Sequence, residues 1–314
     1  MLKRILIALG VVLSVVFVTI SLPIASVGRP LYAWVSSFES SSYGLGTHVV
    51  EVSDTRLVFY QSALDPERET VVLLHGFSSD RFIFARFAKH LTQDFNVVIP
   101  DLAGHGESPY VDGISYAPSA QARRVAELLD ALEIERVHIA GNSMGGAISA
   151  HFAILYPERT LSAGLIDPAG VDSPIPSDMG KMLDQGHNPF EVNSGDEFHE
   201  FYAMTMHRPP YLPGAILAAI ADDYQARRPQ LQTMFSHFHG QEPLDERLGE
   251  LRAPTLIMWG DRDRLLHVSA GHVWLEGLPN AQLVVFQEIG HMPQFEVPKE
   301  SAATYRAFLA GLDR

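Results

Sequence analysis

The chain of 314 residues contains no cysteine, which removes disulfide bridges, thiolate metal ligands and a lipidated amino-terminal cysteine together. Positive charge is also scarce. Lys and Arg number 23 against 37 Asp and Glu, a formal charge of -14, and no basic block appears. Nucleic-acid binding needs clustered cations to neutralise phosphates, so a nucleic-acid partner is excluded. Internal repeats are missing, and sequence bias is confined to one Ser- and Gly-rich stretch at residues 36–46.

The most apolar part of the chain is its beginning. Lys3 and Arg4 precede an uncharged run over residues 5–28 that is long enough to cross a bilayer. The run is longer than the core of a cleavable signal, and Ala25-Ser26-Val27 is a poor cleavage context, so residues 1–28 read as a retained membrane anchor. The positive-inside rule places Lys3 and Arg4 in the cytoplasm and everything after Arg29 across the membrane, on the periplasmic side if the source is bacterial. Tyr32 and Trp34 suit an interfacial aromatic belt, and residues 29–46 read as a juxtamembrane linker.

From Thr47 onward the pattern changes. Residues 48–52 and 56–60 alternate about a short polar turn, as a hairpin at a sheet edge does. Apolar strand-like runs at 70–74, 96–100, 136–140, 161–166, 255–259 and 282–286 then alternate with helical patterns at 81–91, 120–132, 144–156, 268–277 and 298–309. That alternation predicts an α/β domain with a mostly parallel sheet covered on both faces, spanning residues 47–170 and 252–314. Residues 171–251 interrupt it. They hold Pro, Met and aromatic residues and helix-like stretches at 197–206 and 215–227, and so predict a helical cap over the edge of the sheet where ligands bind.

Chemistry concentrates in four short motifs. Gly141-Asn142-Ser143-Met144-Gly145 follows a strand and opens a helix, the layout of a nucleophile elbow that presents a serine hydroxyl on a sharp turn. A serine needs a base, and His291, in Ile289-Gly290-His291-Met292 after the last strand, is the best of fourteen histidines. An acid must orient that base. Asp263, in Trp259-Gly260-Asp261-Arg262-Asp263, is preferred, with Asp261 and Asp167 as alternatives. Backbone N–H groups of Met144 and of Phe77, in His75-Gly76-Phe77, suit an oxyanion hole. The glycine-rich segment from Asp101 to Ser108 lacks the Gly-Lys-Ser/Thr ending of a phosphate loop and reads as a structural turn. His237 and His239 have no acidic companions, so no metal site is expected there.

Together, His75-Gly76-Phe77, Asp101 with Gly104, Gly106 and Ser108, the Ser143 elbow, the Asp263 motif and Gly290-His291 resemble the α/β-hydrolase fold superfamily from Thr47 to the C-terminus. Within it, the N-terminal segment, Asp167-Pro168-Ala169-Gly170 and the cap sequences around Asn188-Pro189-Phe190 and Arg208-Pro209-Pro210-Tyr211 are similar to bacterial membrane-anchored lipases and phospholipase A enzymes. That resemblance implies hydrolysis of lipid acyl esters by a Ser-Asp-His triad without a cofactor. Carbon-carbon hydrolases of aromatic ring-fission products share the elbow and are the alternative, although they tend to carry Trp where this chain has Met292. A binding-only role is disfavoured because every member of the triad is present. Met179, Met182, Met204, Met206, Phe198, Phe201, Phe235 and Phe238 of the cap are read either as an adaptable acyl pocket or as packing of the cap on the sheet.

Overall fold

The computed structural model describes residues 24–312. Strands β1 (Leu45–Glu51) and β2 (Arg56–Ser62) form an antiparallel hairpin in which Leu45 faces Ser62 and Glu51 faces Arg56. Strand β2 pairs antiparallel with β4 (Asn96–Pro100), and every further pairing is parallel: β3 (Thr70–Leu74), β5 (Val137–Asn142), β6 (Thr160–Ile166), β7 (Thr255–Gly260) and β8 (Ala281–Phe286). The resulting eight strands lie in the order β1-β2-β4-β3-β5-β6-β7-β8.

The inner strands β3, β4, β5 and β7 are buried at every position, as parallel strands covered on two faces must be. Their side chains alternate between two cores. Val72 and Leu74 of β3 enter one cluster with Phe152 and the cap residues Phe198 and Met234, whereas Val71 and Leu73 enter another with Phe84, Tyr305 and Phe308. Helices α3 (Pro118–Ala131) and α4 (Met144–Leu155) contribute Val125, Leu128 and Ile148 to the first cluster. Helices α9 (Pro293–Glu296) and α10 (Pro298–Ala310) contribute to the second, and α8 (Ser269–Gly277) seals a third around Trp259 and Trp274.

Three helices fill the interval between β6 and β7: α5 (Asp178–Asp184), α6 (Gly195–Thr205) and α7 (Gly214–Phe238). Ser177 and Ser194 start the first two by accepting from the N–H of Gly180 and Glu197. Helix α7 runs eleven residues beyond the predicted end at 227 and passes through Pro229. Leu231 and Met234, buried against the core, hold the far half of that helix in place. The predicted helix at 81–91 is instead a 3₁₀ turn, Arg81–Phe84, followed by the short α2 (Ala85–Ala88), with Asp80 capping the turn through the N–H of Phe82 at 2.8 Å.

The N-terminal part differs most from expectation. Residues 1–23 of the predicted anchor lie outside the described residues, and among the described residues no helix is long and apolar enough to cross a membrane. Residues read as the end of the anchor and as a linker form helix α1 (Ile24–Ser42), packed on the cap. Gly28 sits against α7 so closely that a Cβ there would lie 1.8 Å from the carbonyl oxygen of Ala215. Tyr32 donates to Asp80 at 2.8 Å, and Glu39 accepts from Arg86 at 2.6 and 3.1 Å. The serines that suggested a linker bond back to the helix instead: Ser36, Ser40 and Ser42 donate to the carbonyls of Ala33, Ser37 and Glu39. Tertiary contacts thus override a composition that favours coil.

Candidate active site

Ser143 stands between β5 and α4 with φ 58° and ψ -119°, a region that costs a non-glycine residue about 1–3 kcal/mol. The turn is held in place from several sides. Ser143 donates its N–H to Ile166 at 2.9 Å, and its carbonyl accepts from Ala147 and Ala169 at 3.1 Å each. A Cβ on Gly145 would fall 2.1 Å from the carbonyl oxygen of Leu74, so only glycine lets α4 start this close to β3. Gly76 approaches from that side, where an added Cβ would lie 3.3 Å from Cβ of Ser143. Phe77 therefore enters the same corner as Met144, whose N–H lies at the start of α4 where helix amides have no intrahelical acceptor.

The structure brings His291 and Asp263 together. Asp263 Oδ2 accepts from His291 Nδ1 at 2.7 Å, and its Oδ1 accepts from the N–H groups of Leu265 and Leu266 at 2.8 and 3.0 Å. Both residues are buried. With the proton on Nδ1 directed to the carboxylate, Nε2 is left as the proton acceptor. The loop carrying His291 is fixed by residues that sequence reasoning missed. Asn142 donates to the His291 carbonyl at 2.9 Å, Glu296 accepts from Gly290 at 2.9 Å, and the His291 N–H reaches Thr205 of the cap at 3.1 Å. Asn142 lies inside the elbow motif and could have been suspected, whereas nothing in the pattern marked Glu296 or Thr205.

The other candidates take structural roles. Asp261 accepts from the N–H of Glu288 at 2.6 Å and ties the loop after β7 to that after β8. His75 donates from Nδ1 to Gly76 at 2.8 Å and accepts from Leu102 at 3.0 Å, and its burial pushes it down to about 4, so it is neutral. His105, beside it, is held well below the ordinary range by the same burial. His237 accepts from the N–H of Tyr116 at 3.2 Å, and His239 stacks on Phe235 with centroids 4.8 Å apart. In the loop after β4, Asp101 accepts from the backbone of Arg81 at 2.7 Å and of Glu107 at 2.8 Å and pairs with the Arg81 guanidinium, which makes this glycine-rich segment a structural turn.

Ser143 and His291 open into one cavity of about 590 Å³. Phe77, Phe190, Phe198, Phe201 and Leu265 give it apolar walls, and α1 adds Arg29, Tyr32 and Ser36, which reading that segment as a linker had concealed. Of the eight cap residues singled out from the sequence, Phe198, Phe201 and Met206 line this space. Met179, Met182, Met204, Phe235 and Phe238 pack between cap and sheet. The Phe77 ring does likewise, edge-on to Phe190 at 5.0 Å and Phe235 at 5.7 Å. A hydroxyl, an oriented imidazole–carboxylate pair and a helix N-terminus at one end of an apolar cavity can carry out acyl transfer.

An elbow serine after β5, an acid after β7 and a histidine after β8 on a mostly parallel eight-stranded sheet define a class, and the sequence comparison agrees: residues 69–298 match the α/β hydrolase fold family. The chain belongs to that family and is a hydrolase. It is 34% identical to Lipase 1 of Psychrobacter immobilis over 251 residues, 78% of each chain. It is 29% identical over 262 residues to a 2-hydroxy-6-oxononadienedioate/2-hydroxy-6-oxononatrienedioate hydrolase of Cupriavidus pinatubonensis, covering 80% of this chain and 90% of that one. Among solved structures, a membrane phospholipase A that is a bacterial virulence factor superposes with a TM-score of 0.88 at 35% identity over 98% of each chain.

Proposed function

We propose that this enzyme is a serine hydrolase that cleaves the acyl esters of lipids, in the manner of a lipase or phospholipase A, through Ser143, Asp263 and His291. The carrying observation is the buried 2.7 Å hydrogen bond between His291 and Asp263 beside an elbow serine that faces a largely apolar cavity. Ser143 Oγ attacks the acyl carbonyl carbon while His291 Nε2 takes its proton, and the N–H groups of Phe77 and Met144 hold the oxyanion. Collapse breaks the bond to the alcohol oxygen, which receives the proton from His291. Water, deprotonated by the same imidazole, then attacks the acyl-enzyme and releases the fatty acid. Asp263 keeps the imidazole in its working tautomer and stabilises the imidazolium. Lipase relatives at 34% identity and a phospholipase A neighbour at 35% support the ester reading. So does the cavity volume, which is within the ordinary range for a small-molecule site.

The N-terminal segment supports a membrane location for this chemistry. Lys3 and Arg4 would remain in the cytoplasm, the apolar residues before α1 would cross the bilayer, and the folded domain would work on the far side, held at a bilayer surface where it meets lipid esters at high effective concentration. The residues from Ile24 onward belong to α1, so in this reading the crossing is assigned to the apolar residues that precede them.

Likeness to the dienoate hydrolase favours a second reading, carbon-carbon cleavage. One assay separates the two. Purified protein in detergent is presented with medium-chain acyl esters, a phospholipid, a monoacylglycerol and a ring-fission dienoate, with Ser143→Ala as the blank. Serine-dependent fatty-acid release is expected. Turnover of the dienoate with little ester cleavage would replace the lipid reading by the carbon-carbon one.

A further inference from the structure

Asp167 is a buried acid that the mechanism above leaves unused. It follows β6 at φ 43°, wholly shielded from solvent, with Oδ1 accepting from the N–H of Gly260 at 2.9 Å. Its Oδ2 is buried and no N–H or non-carboxyl O–H reaches it. The atoms that Asp167, Asp263 and His291 present to one another all lie within 4.8 Å. The charged groups acting on Asp167 are Asp263, from the loop after β7, and Glu296, from α9, both acidic. His291, from the loop after β8, is already committed to Asp263.

Two carboxylates this close, in a buried place without an Arg or Lys between them, cannot both be ionised. Asp263 holds the charge, because both of its oxygens accept from N–H groups. The proton therefore belongs to Asp167, whose second oxygen has nothing else to do with it. We propose that Asp167 is a positioning residue, a neutral carboxylic acid whose Oδ2–H donates to the Asp263 carboxylate and fixes the plane in which Asp263 meets His291. Burial and the neighbouring Asp263 charge raise the Asp167 carboxyl well above the ordinary carboxylate range, in keeping with this arrangement.

The inference rests on the triad assignment, and the test separates the two. Infrared spectra of the full chain in detergent at pH 7, without substrate, should contain the carbonyl stretch of a buried protonated carboxyl that disappears in Asp167→Asn. Asparagine can still accept from Gly260 and donate to Asp263. That variant should keep kcat within about threefold and leave the acid limb of the kcat/KM pH profile unmoved, whereas Asp167→Ala should lose about tenfold or more in kcat with KM little changed. Absence of the band overturns the proposal. So does an acid limb in Asp167→Asn displaced by about one unit, because it would mean that a negative charge had been removed, and so does an Asp167→Ala enzyme as active as wild type. Undiminished turnover by Ser143→Ala would instead overturn the triad and leave the infrared result standing.

Discussion

Tyr224, on cap helix α7, hydrogen-bonds the hydroxyl of Ser78, which in turn donates to the carbonyl of Phe77 at 2.6 Å. Ser78 is itself on a left-handed backbone, φ 63°, one residue beyond the proposed oxyanion donor. The chain of bonds runs from the cap into the loop that carries Phe77, so under the proposed mechanism the cap would help to set oxyanion geometry as well as shaping the cavity. Tyr224→Phe removes one buried hydrogen bond with no change of ring packing, so kcat on a chromogenic ester should fall about tenfold with KM nearly constant. Steady-state kinetics on that ester decide it, and a rise in KM alone would assign Tyr224 to substrate packing.

The two aspartates of the loop after β7 should separate cleanly. Asp263→Asn presents an amide to His291 Nδ1 and favours the wrong tautomer, so kcat should fall by about 10⁴. The Asp261 side chain accepts from the backbone N–H of Glu288 and so ties the same loop to the one after β8. Asp261→Asn retains an acceptor and should stay within about threefold of wild type. Parallel rates on a soluble acyl ester test the pair, and the reverse ranking would move the acid role to Asp261.

Buried histidines make stability sensitive to acid. His75 is pushed down to about 4 by burial, against an ordinary value of 6.5, so its neutral form is what the native state accommodates. The unfolded chain binds a proton that the folded one refuses. Stability is therefore complete above pH 6.5 and is lost as pH falls toward 4, by about 2 kcal/mol at pH 5 from this residue alone. His105 and His151 are lowered by burial and act in the same direction. Asp167, raised, acts in the opposite one over that interval. The informative quantity is thus the difference between wild type and a His75→Asn variant, whose Tm should decline less between pH 6.5 and 5 in thermal melts.

Some of this was legible in sequence, and the physical reason is range. The elbow at Ser143 and the meeting of His291 with Asp263 were readable because each of these residues lies in a short segment whose local conformation, strand then turn, is dictated by nearby glycines and apolar runs. The inner strands announced themselves because double-sided burial leaves an unbroken apolar run. Helix α1 was not legible, since Ser and Gly disfavour helix locally and its stability comes from Gly28 against Ala215 and Tyr32 against Asp80. The extension of α7 past Pro229 depends equally on what lies beneath Leu231 and Met234. Asp167 was visible as an acid, but its nearness to Asp263 and His291 arises where three loops converge. No spacing along the chain encodes that.

Trp34 and Phe38 are both 63% exposed on α1, with rings stacked 5.5 Å apart. A pair of large aromatics facing outward, on the first described helix after the apolar N-terminal run, suits the headgroup layer of a bilayer. The chain offers a clean optical test because it has three tryptophans, and Trp259 and Trp274 are wholly buried in the core around α8. Any quenching by a bilayer-confined agent must come from Trp34. In vesicles of phosphatidylcholine brominated near the headgroup, the emission of the full chain should be partly quenched relative to unbrominated vesicles, and Trp34→Phe should abolish the difference. Zwitterionic lipid is the appropriate surface, since a charge of -14 opposes approach to an anionic one. If wild type shows no quenching while remaining bound to the vesicles, α1 stands clear of the interface and the aromatic pair serves some other contact.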